Sequence, residues 1–218
     1  MQRMLGGSVL NCGISGTTIS QNSGEFDYLS LHCLSKSINN GNWDEVKSAC
    51  ERLAAGELRQ DYRSTADKLS LIDWNSVNYL ILFYGTNDFS NNLPIGNEND
   101  FQIDTLVGAI NYSIKKIHSK YPKIKIIFVS PIWRARFLDG DDKESDTNPN
   151  KKGIFLINYV DSIIKTSLSN KIPCIDMYRT SGINKYNYTS FLSDGIHPTE
   201  GGEERIADKI FTGIICSY

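Results

Sequence analysis

The sequence predicts an α/β fold with a parallel sheet and helices on both of its faces. Three observations carry this. Short apolar runs that stop at glycine or proline read as strands, stretches with apolar residues at helical spacing read as helices, and the two kinds of segment alternate along the chain. The 218 residues suffice for one domain with a sizeable core, so 1–218 reads as a single domain.

Taken in order, Val9-Leu10-Asn11-Cys12 is the first expected strand, ended by Gly13. Asn42 then precedes Glu45 by three residues in a near capping box, and Val46, Ala49 and Leu53 share the face of the helix that follows. Tyr79-Leu80-Ile81-Leu82-Phe83-Tyr84 is continuously apolar, as a strand covered on both faces should be, and Gly85 ends it. Leu106, Ile110, Ile114 and Ile117 recur at helical spacing until Lys120-Tyr121-Pro122 stops the run. Ile124 to Ser130 is the next strand, halted by Pro131. Ile157, Val160, Ile164 and Leu168 mark a further helix, Pro173 to Met177 a short strand, and Glu204 to Ile215 a last helix with Ile206, Ile210 and Ile214 in register. No internal repeat is visible. The polar run 138–152 is a surface loop. It fails as a calcium loop, because Lys143 stands where an oxygen ligand belongs and Glu144 where the turn glycine belongs.

Composition narrows the classes of function. Hydrophobic residues make up 40% and charged residues 22%, as in ordinary globular proteins. A formal charge of −2 favours neither nucleic acid nor an anionic membrane as partner. No apolar run approaches the ~18 residues of a membrane span. The five cysteines, Cys12, Cys33, Cys50, Cys174 and Cys216, form no C-x-x-C pair and are odd in number. That argues against a disulfide framework or a zinc cluster and for reduced thiols, which favours the cytoplasm. No apolar stretch of the signal-peptide kind follows Arg3, but the motifs below imply that this N-terminus is not the natural one, so export stays open.

Functional groups of parallel α/β sheets collect at the carboxyl ends of the strands. Three stretches sit there: Asn11-Cys12-Gly13-Ile14-Ser15-Gly16-Thr17-Thr18, Gly85-Thr86-Asn87-Asp88 and Asp194-Gly195-Ile196-His197-Pro198. Each suits one task of acyl transfer. Gly16 lets a substrate oxygen approach its backbone N–H, and Asn87 offers a side-chain donor; together they suit an oxyanion. His197 suits a general base, and Asp194, three residues before it, can accept the Nδ1 proton and fix the tautomer. Taken singly, each stretch also has a plain reading as an Asx turn, a glycine turn or a surface turn. His32 and His118 have no suitable partner nearby in sequence and read as structural or solvated. Trp133 and Arg134, just past Ser130-Pro131, are candidates for the substrate side, with packing as the alternative. No metal or cofactor is called for.

In this order and at this spacing, the three stretches resemble the SGNH (GDSL-like) hydrolases. "NCGISGTT" is similar to that family's second block, "YGTND" to its third and "DGIHP" to its fifth, and "SIKKIHSKYPKIKIIFVSP" to its middle region, so the likeness spans roughly residues 9–212. The resemblance implies a flavodoxin-like three-layer α/β/α sandwich. It implies hydrolysis of esters, with acetyl or other short acyl groups on a carbohydrate or lipid as the substrate class. Carried over, Gly16 and Asn87 are oxyanion donors, His197 is the base and Asp194 its orienting partner.

The family's first block, Gly-Asp-Ser, supplies the nucleophile and should lie well before the second. Only ten residues precede Asn11. Ser8 mimics the block, but a crossover between parallel strands takes about a dozen residues, and only Val9 and Leu10 separate Ser8 from Asn11. Ser15 bonds locally in this reading. Met1–Leu5 is then the tail of a helix with Gly6 as its terminal glycine, and the domain is N-terminally incomplete: its first strand and serine turn are missing. Tyr79–Tyr84 would lose a sheet neighbour, so that a monomer is poorly stable or closes the gap with another chain as a homo-oligomer. The alternative function is a non-catalytic remnant that binds a carbohydrate or acyl ligand. A nucleotide binder is disfavoured, since "GISGTT" does not match G-x-x-x-x-G-K-[ST]. Phe89–Asn99 and 137–153 are expected to shape the mouth of the site.

Overall fold

The backbone N–H of Phe128 donates to the Pro173 carbonyl, and that of Ser130 to Ile175, both at 3.0 Å. These bonds knit β2 (Lys125–Val129) to β3 (Cys174–Ile175) as parallel neighbours, with Phe128 opposite Cys174 and Val129 opposite Ile175. The sheet is that of a computed structural model describing residues 6–57, 59–135 and 144–217. Its order is β1-β2-β3, with β1 at Tyr79–Phe83. This is the α/β class with a parallel sheet that the alternating pattern predicts.

β2 lies between the other two strands, and Ile126, Ile127, Phe128 and Val129 are fully buried. β1 lies at the edge. Its apolar run implies cover on both faces, yet Tyr79 and Phe83 are 37% and 41% exposed. The correction has a simple cause: a strand with one neighbour among the described residues leaves part of its surface to solvent. Val9–Cys12 is not a strand. Val9 and Leu10 are exposed, and Asn11 Oδ1 accepts the Gly13 N–H at 3.0 Å. A side chain that satisfies the backbone two residues on favours a turn over a ladder. The helix expected over Met1–Leu5 and residues 138–143 of the polar loop lie outside the described residues.

The chain divides into two compact units. One comprises Met1–Val9, Ile81–Asn92 and Ile127–Tyr218; the other Leu10–Leu80 and Leu93–Ile126. In the first, Ile206, Ile210 and Ile214 of the helix Glu200–Ser217 join Ile127, Val129, Trp133, Met177 and Leu192 in one buried cluster. That is the register the sequence predicts, although the helix begins four residues earlier. The helix Leu156–Ser169 buries Leu156, Tyr159, Val160 and Ile163. Helical spacing predicts Leu168 on that face; it is 58% exposed, and the buried stripe is rotated by about one residue.

In the second unit the helix Leu31–Asn40 packs on Leu106–Lys120, whose first turn is capped by Thr105 Oγ1 accepting the Gly108 N–H at 3.1 Å. Leu106, Ile110, Ile114 and Ile117 are buried as expected. The helix Asp44–Ala55 buries Val46 and Ala49, with Asn42 Oδ1 accepting the Asp44 N–H at 2.8 Å ahead of it.

Candidate active site

The turn 193–198 is built from its own residues. Gly195 sits at φ 82°, a left-handed conformation open to glycine at little cost, and it folds the chain back so that Asp194 faces His197. Asp194 Oδ1 accepts the backbone N–H groups of Ile196 (3.0 Å) and His197 (2.8 Å), and Oδ2 lies 2.7 Å from His197 Nδ1. The His197 carbonyl in turn accepts from Ser193 N at 2.8 Å, and Leu192 bridges to Pro198. Partial burial pushes the Asp194 carboxyl up. The hydrogen bonds from the His197 backbone and ring and from the Ile196 N–H outweigh that and hold it well below the usual carboxylate range. An ionised Asp194 accepts the hydrogen bond from Nδ1–H, which keeps the ring proton on Nδ1 and leaves Nε2 with a lone pair, on a side chain that is 67% exposed. This is the arrangement a general base needs.

A carboxylate held below its ordinary range adds stability that is full above about pH 4. That stability drains away as the pH falls through the group's own, lower pKa. In Asp194→Asn the acid-titrating group is gone. Urea unfolding at pH 6 and pH 3 is therefore expected to show a smaller loss of stability on acidification than in the unaltered chain; equal losses would contradict the linkage.

Asn87 is half-buried in the first turn of the short helix Thr86–Ser90, which follows β1 through Gly85. Its carbonyl accepts from both the backbone and the side chain of Asn91, at 2.9 and 2.8 Å. Gly16 is exposed at φ 81°, and an added Cβ would lie 3.3 Å from the Phe26 ring. Its N–H donates to no described group. Gly16 belongs to one compact unit; Asn87, Trp133, Arg134, Asp194 and His197 belong to the other.

Within that unit the segment after β2 ties the strand-end turns together. Arg134 Nη1 donates to Thr86 Oγ1 (3.0 Å) and Ser90 Oγ (2.8 Å), with the guanidinium 5.7 Å from the centre of the Phe89 ring. One residue on, the Ala135 N–H donates to the Gly195 carbonyl at 2.9 Å. A single stretch thus holds both the Asn87 turn and the His197 turn. Arg134 is 2% exposed, and burial pushes its guanidinium down to about 10 against the opposing pull of the Asp194 charge. Trp133 is also 2% exposed; its Nε1–H donates to Asp146 at 2.6 Å, and Tyr178 donates to the same carboxylate at 2.6 Å. Both residues, candidates for the substrate side on sequence grounds with packing as the alternative, are buried and hydrogen-bonded to neighbouring segments. The Arg134 tie and the Asp146 acceptor leave no mark in the sequence, since neither has a local spacing that signals it.

Among the described residues no serine or threonine hydroxyl is hydrogen-bonded to His197 Nε2. Ser8 is exposed and bonds to nothing described. Ser130, at the end of β2, is buried and accepts from Met177 N at 2.9 Å. His118 lies 3.1 Å from the Ile124 carbonyl, the structural role expected of it. The loops expected at the mouth meet through Asn92 Oδ1, which accepts the Lys151 N–H at 2.7 Å, and through Asn150, which donates to the Phe89 carbonyl at 3.2 Å. No helix is long and apolar enough to cross a membrane, among the described residues.

Comparison with known proteins supports the same family. The profile of the GDSL-like lipases/acylhydrolases matches residues 1–210. One solved chain, 26% identical, covers 98% of this chain and 82% of its own length at a TM-score of 0.69. A protein from Lactobacillus plantarum is 20% identical over 66% of this chain and 69% of its own, at a TM-score of 0.60. A protein from Chitinophaga pinensis described as a possible lipase is 20% identical over 68% and 75%, at 0.51. No curated protein matches in sequence. The last two solved structures speak to the fold alone, but the profile spans nearly all of the sequence, including every strand-end turn described above, and so this chain belongs to the GDSL-like lipase/acylhydrolase family of hydrolases.

Proposed function

We propose that this protein is a serine ester hydrolase that removes acetyl or other short acyl groups from a carbohydrate or lipid ester, without a cofactor. The observation that carries the reading is the 2.7 Å contact between Asp194 Oδ2 and His197 Nδ1, with the carboxylate anchored by two backbone N–H groups. His197 takes the proton of a serine hydroxyl as that oxygen attacks the ester carbonyl. Within the unit of His197, the Asn87 side chain is the oxyanion donor; the sequence resemblance adds the Gly16 N–H as a second. His197 then returns the proton to the leaving alcohol, and water repeats the sequence on the acyl-enzyme. The serine is that of the Gly-Asp-Ser block which the sequence resemblance places ahead of Asn11.

A second reading, a protein that binds a carbohydrate or acyl ligand without turnover, is favoured by the exposed Ser8, which bonds to no described group. The two separate in one assay. The polypeptide of residues 1–218 and a version of it extended upstream with a Gly-Asp-Ser block are compared on p-nitrophenyl acetate. The esterase reading expects His197-dependent turnover from the form that carries a Gly-Asp-Ser serine. Absence of turnover in both forms would leave the binding reading. Robust His197-dependent turnover by residues 1–218 alone would refute the assignment of the nucleophile to that block.

A further inference from the structure

A second cluster of reactive side chains lies in the unit built from Leu10–Leu80 and Leu93–Ile126. The tight turn Glu25–Leu29 runs through Ser30 into the helix Leu31–Asn40. This brings Asp27 beside the first helical turn, where His32 and Cys33 are adjacent. His32 Nε2 is 3.3 Å from Cys33 Sγ and 3.9 Å from Asp27 Oδ1, and the three ligand atoms lie within 4.8 Å of one another. All three residues line a cavity of about 540 Å³.

We propose that Asp27, His32 and Cys33 form a binding site for a divalent metal of the zinc class. Tetrahedral zinc, with bonds of ~2.0–2.3 Å, sets its ligand atoms roughly 3.3–3.6 Å apart. The observed separations need shifts of only a few tenths of an ångström between the histidine and its two neighbours. The set of sulfur, nitrogen and oxygen donors suits zinc or a neighbouring transition metal. It does not suit magnesium or calcium, which take oxygen. Two anions, the Cys33 thiolate and the Asp27 carboxylate, balance a divalent charge. The nearby Lys36 is paired with Glu45 at 3.4 Å, which offsets its repulsion. Three protein ligands leave a fourth position open to the cavity, for water or an exogenous ligand.

The surrounding bonds orient these donors. Ser30 Oγ donates its proton to the Asp27 carbonyl at 2.5 Å, so at 2.8 Å from His32 Nδ1 it acts as acceptor. That places the ring proton on Nδ1 and leaves the Nε2 lone pair beside the thiol and the carboxylate. Asp27 Oδ1 is itself fixed by the Asn22 N–H at 2.9 Å. Such second-layer contacts set tautomer and ligand basicity in metal sites. His32 is 5% exposed, and burial lowers its pKa against the opposing pull of the Asp27 charge and of a hydrogen bond to the Ile19 backbone, a direction that favours the neutral, coordinating ring. Burial pushes the Cys33 thiol up to about 11. Binding therefore exchanges an S–H bond for an S–metal bond and releases that proton to solvent.

The test is titration of chelator-treated protein with Co(II), followed by absorption. One equivalent per chain should raise a thiolate-to-cobalt charge-transfer band and tetrahedral ligand-field bands, both displaced by one equivalent of Zn(II). Cys33→Ser should abolish the charge-transfer band, while Cys12→Ser retains it. Asp27→Asn, a nearly isosteric change, should weaken cobalt binding at least ~10-fold with unchanged far-UV circular dichroism, and Ser30→Ala should weaken it ~10–100-fold. No charge-transfer band in the unaltered protein, a band that survives Cys33→Ser, or unchanged cobalt affinity in Asp27→Asn would overturn the site.

Discussion

Replacing His197 with alanine is expected to lower kcat toward p-nitrophenyl acetate by about 10²–10⁴-fold, the usual worth of a positioned general base. The thermal midpoint should scarcely move. The His197 side chain is 67% exposed, and the backbone N–H that Asp194 holds at 2.8 Å survives the change. Activity and stability therefore separate at this residue. Asp194→Asn provides the complementary case. Its amide oxygen can still accept the two backbone N–H groups, but an NH₂ facing Nδ1 favours the wrong tautomer, and a loss of up to ~10⁴ in kcat is expected. A His197→Ala enzyme within a few-fold of the unaltered rate, in a form carrying the serine block, would remove His197 from the mechanism.

Arg134→Ala should act chiefly on stability. It removes charged hydrogen bonds to Thr86 Oγ1 and Ser90 Oγ in a place that is 2% exposed. Bonds of this kind contribute about 1.5–3 kcal/mol each. Relief of the buried charge, evident in a guanidinium pushed down to about 10, offsets part of that. A net loss of about 2–4 kcal/mol corresponds to a fall of roughly 5–15 °C in Tm for a chain of this size. Arg134→Met, which fills the space without the charge, should recover part of the stability but leave kcat reduced, because the Asn87 turn is no longer tied to the segment that holds Gly195. Thermal unfolding by circular dichroism and kcat at saturating ester distinguish the two losses. An Arg134→Ala protein with unchanged Tm would refute the brace.

The Asp194–His197 pair is legible in five consecutive residues, because an aspartate, a glycine that turns the chain back and a histidine three positions on make their contact within one turn. The helix Leu106–Lys120 is equally legible, since its buried stripe repeats at the period of the helix itself. The helix Leu156–Ser169 shows where that stops. Its apolar residues span more than one face, and the sheet it packs on decides that Tyr159 and Ile163 are buried and Leu168 is not. Val9–Cys12 has a strand's composition but follows its own Asx turn. Asp27 lies five residues before the His32-Cys33 pair, in a different element, so no fixed ligand spacing of the C-x-x-C kind marks the three as one cluster.

The amino-acid order by itself determined the alternation of strands and helices and the contact of Asp194 with His197, since both arise from side chains a few positions apart. Tertiary structure alone decided that Arg134 reaches Thr86 across 48 positions and that Ser30 lies against the His32 ring beside Cys33 and Asp27. Such contacts depend on which surfaces meet when separate segments bury their apolar faces, and a burial pattern names the faces without naming their partners.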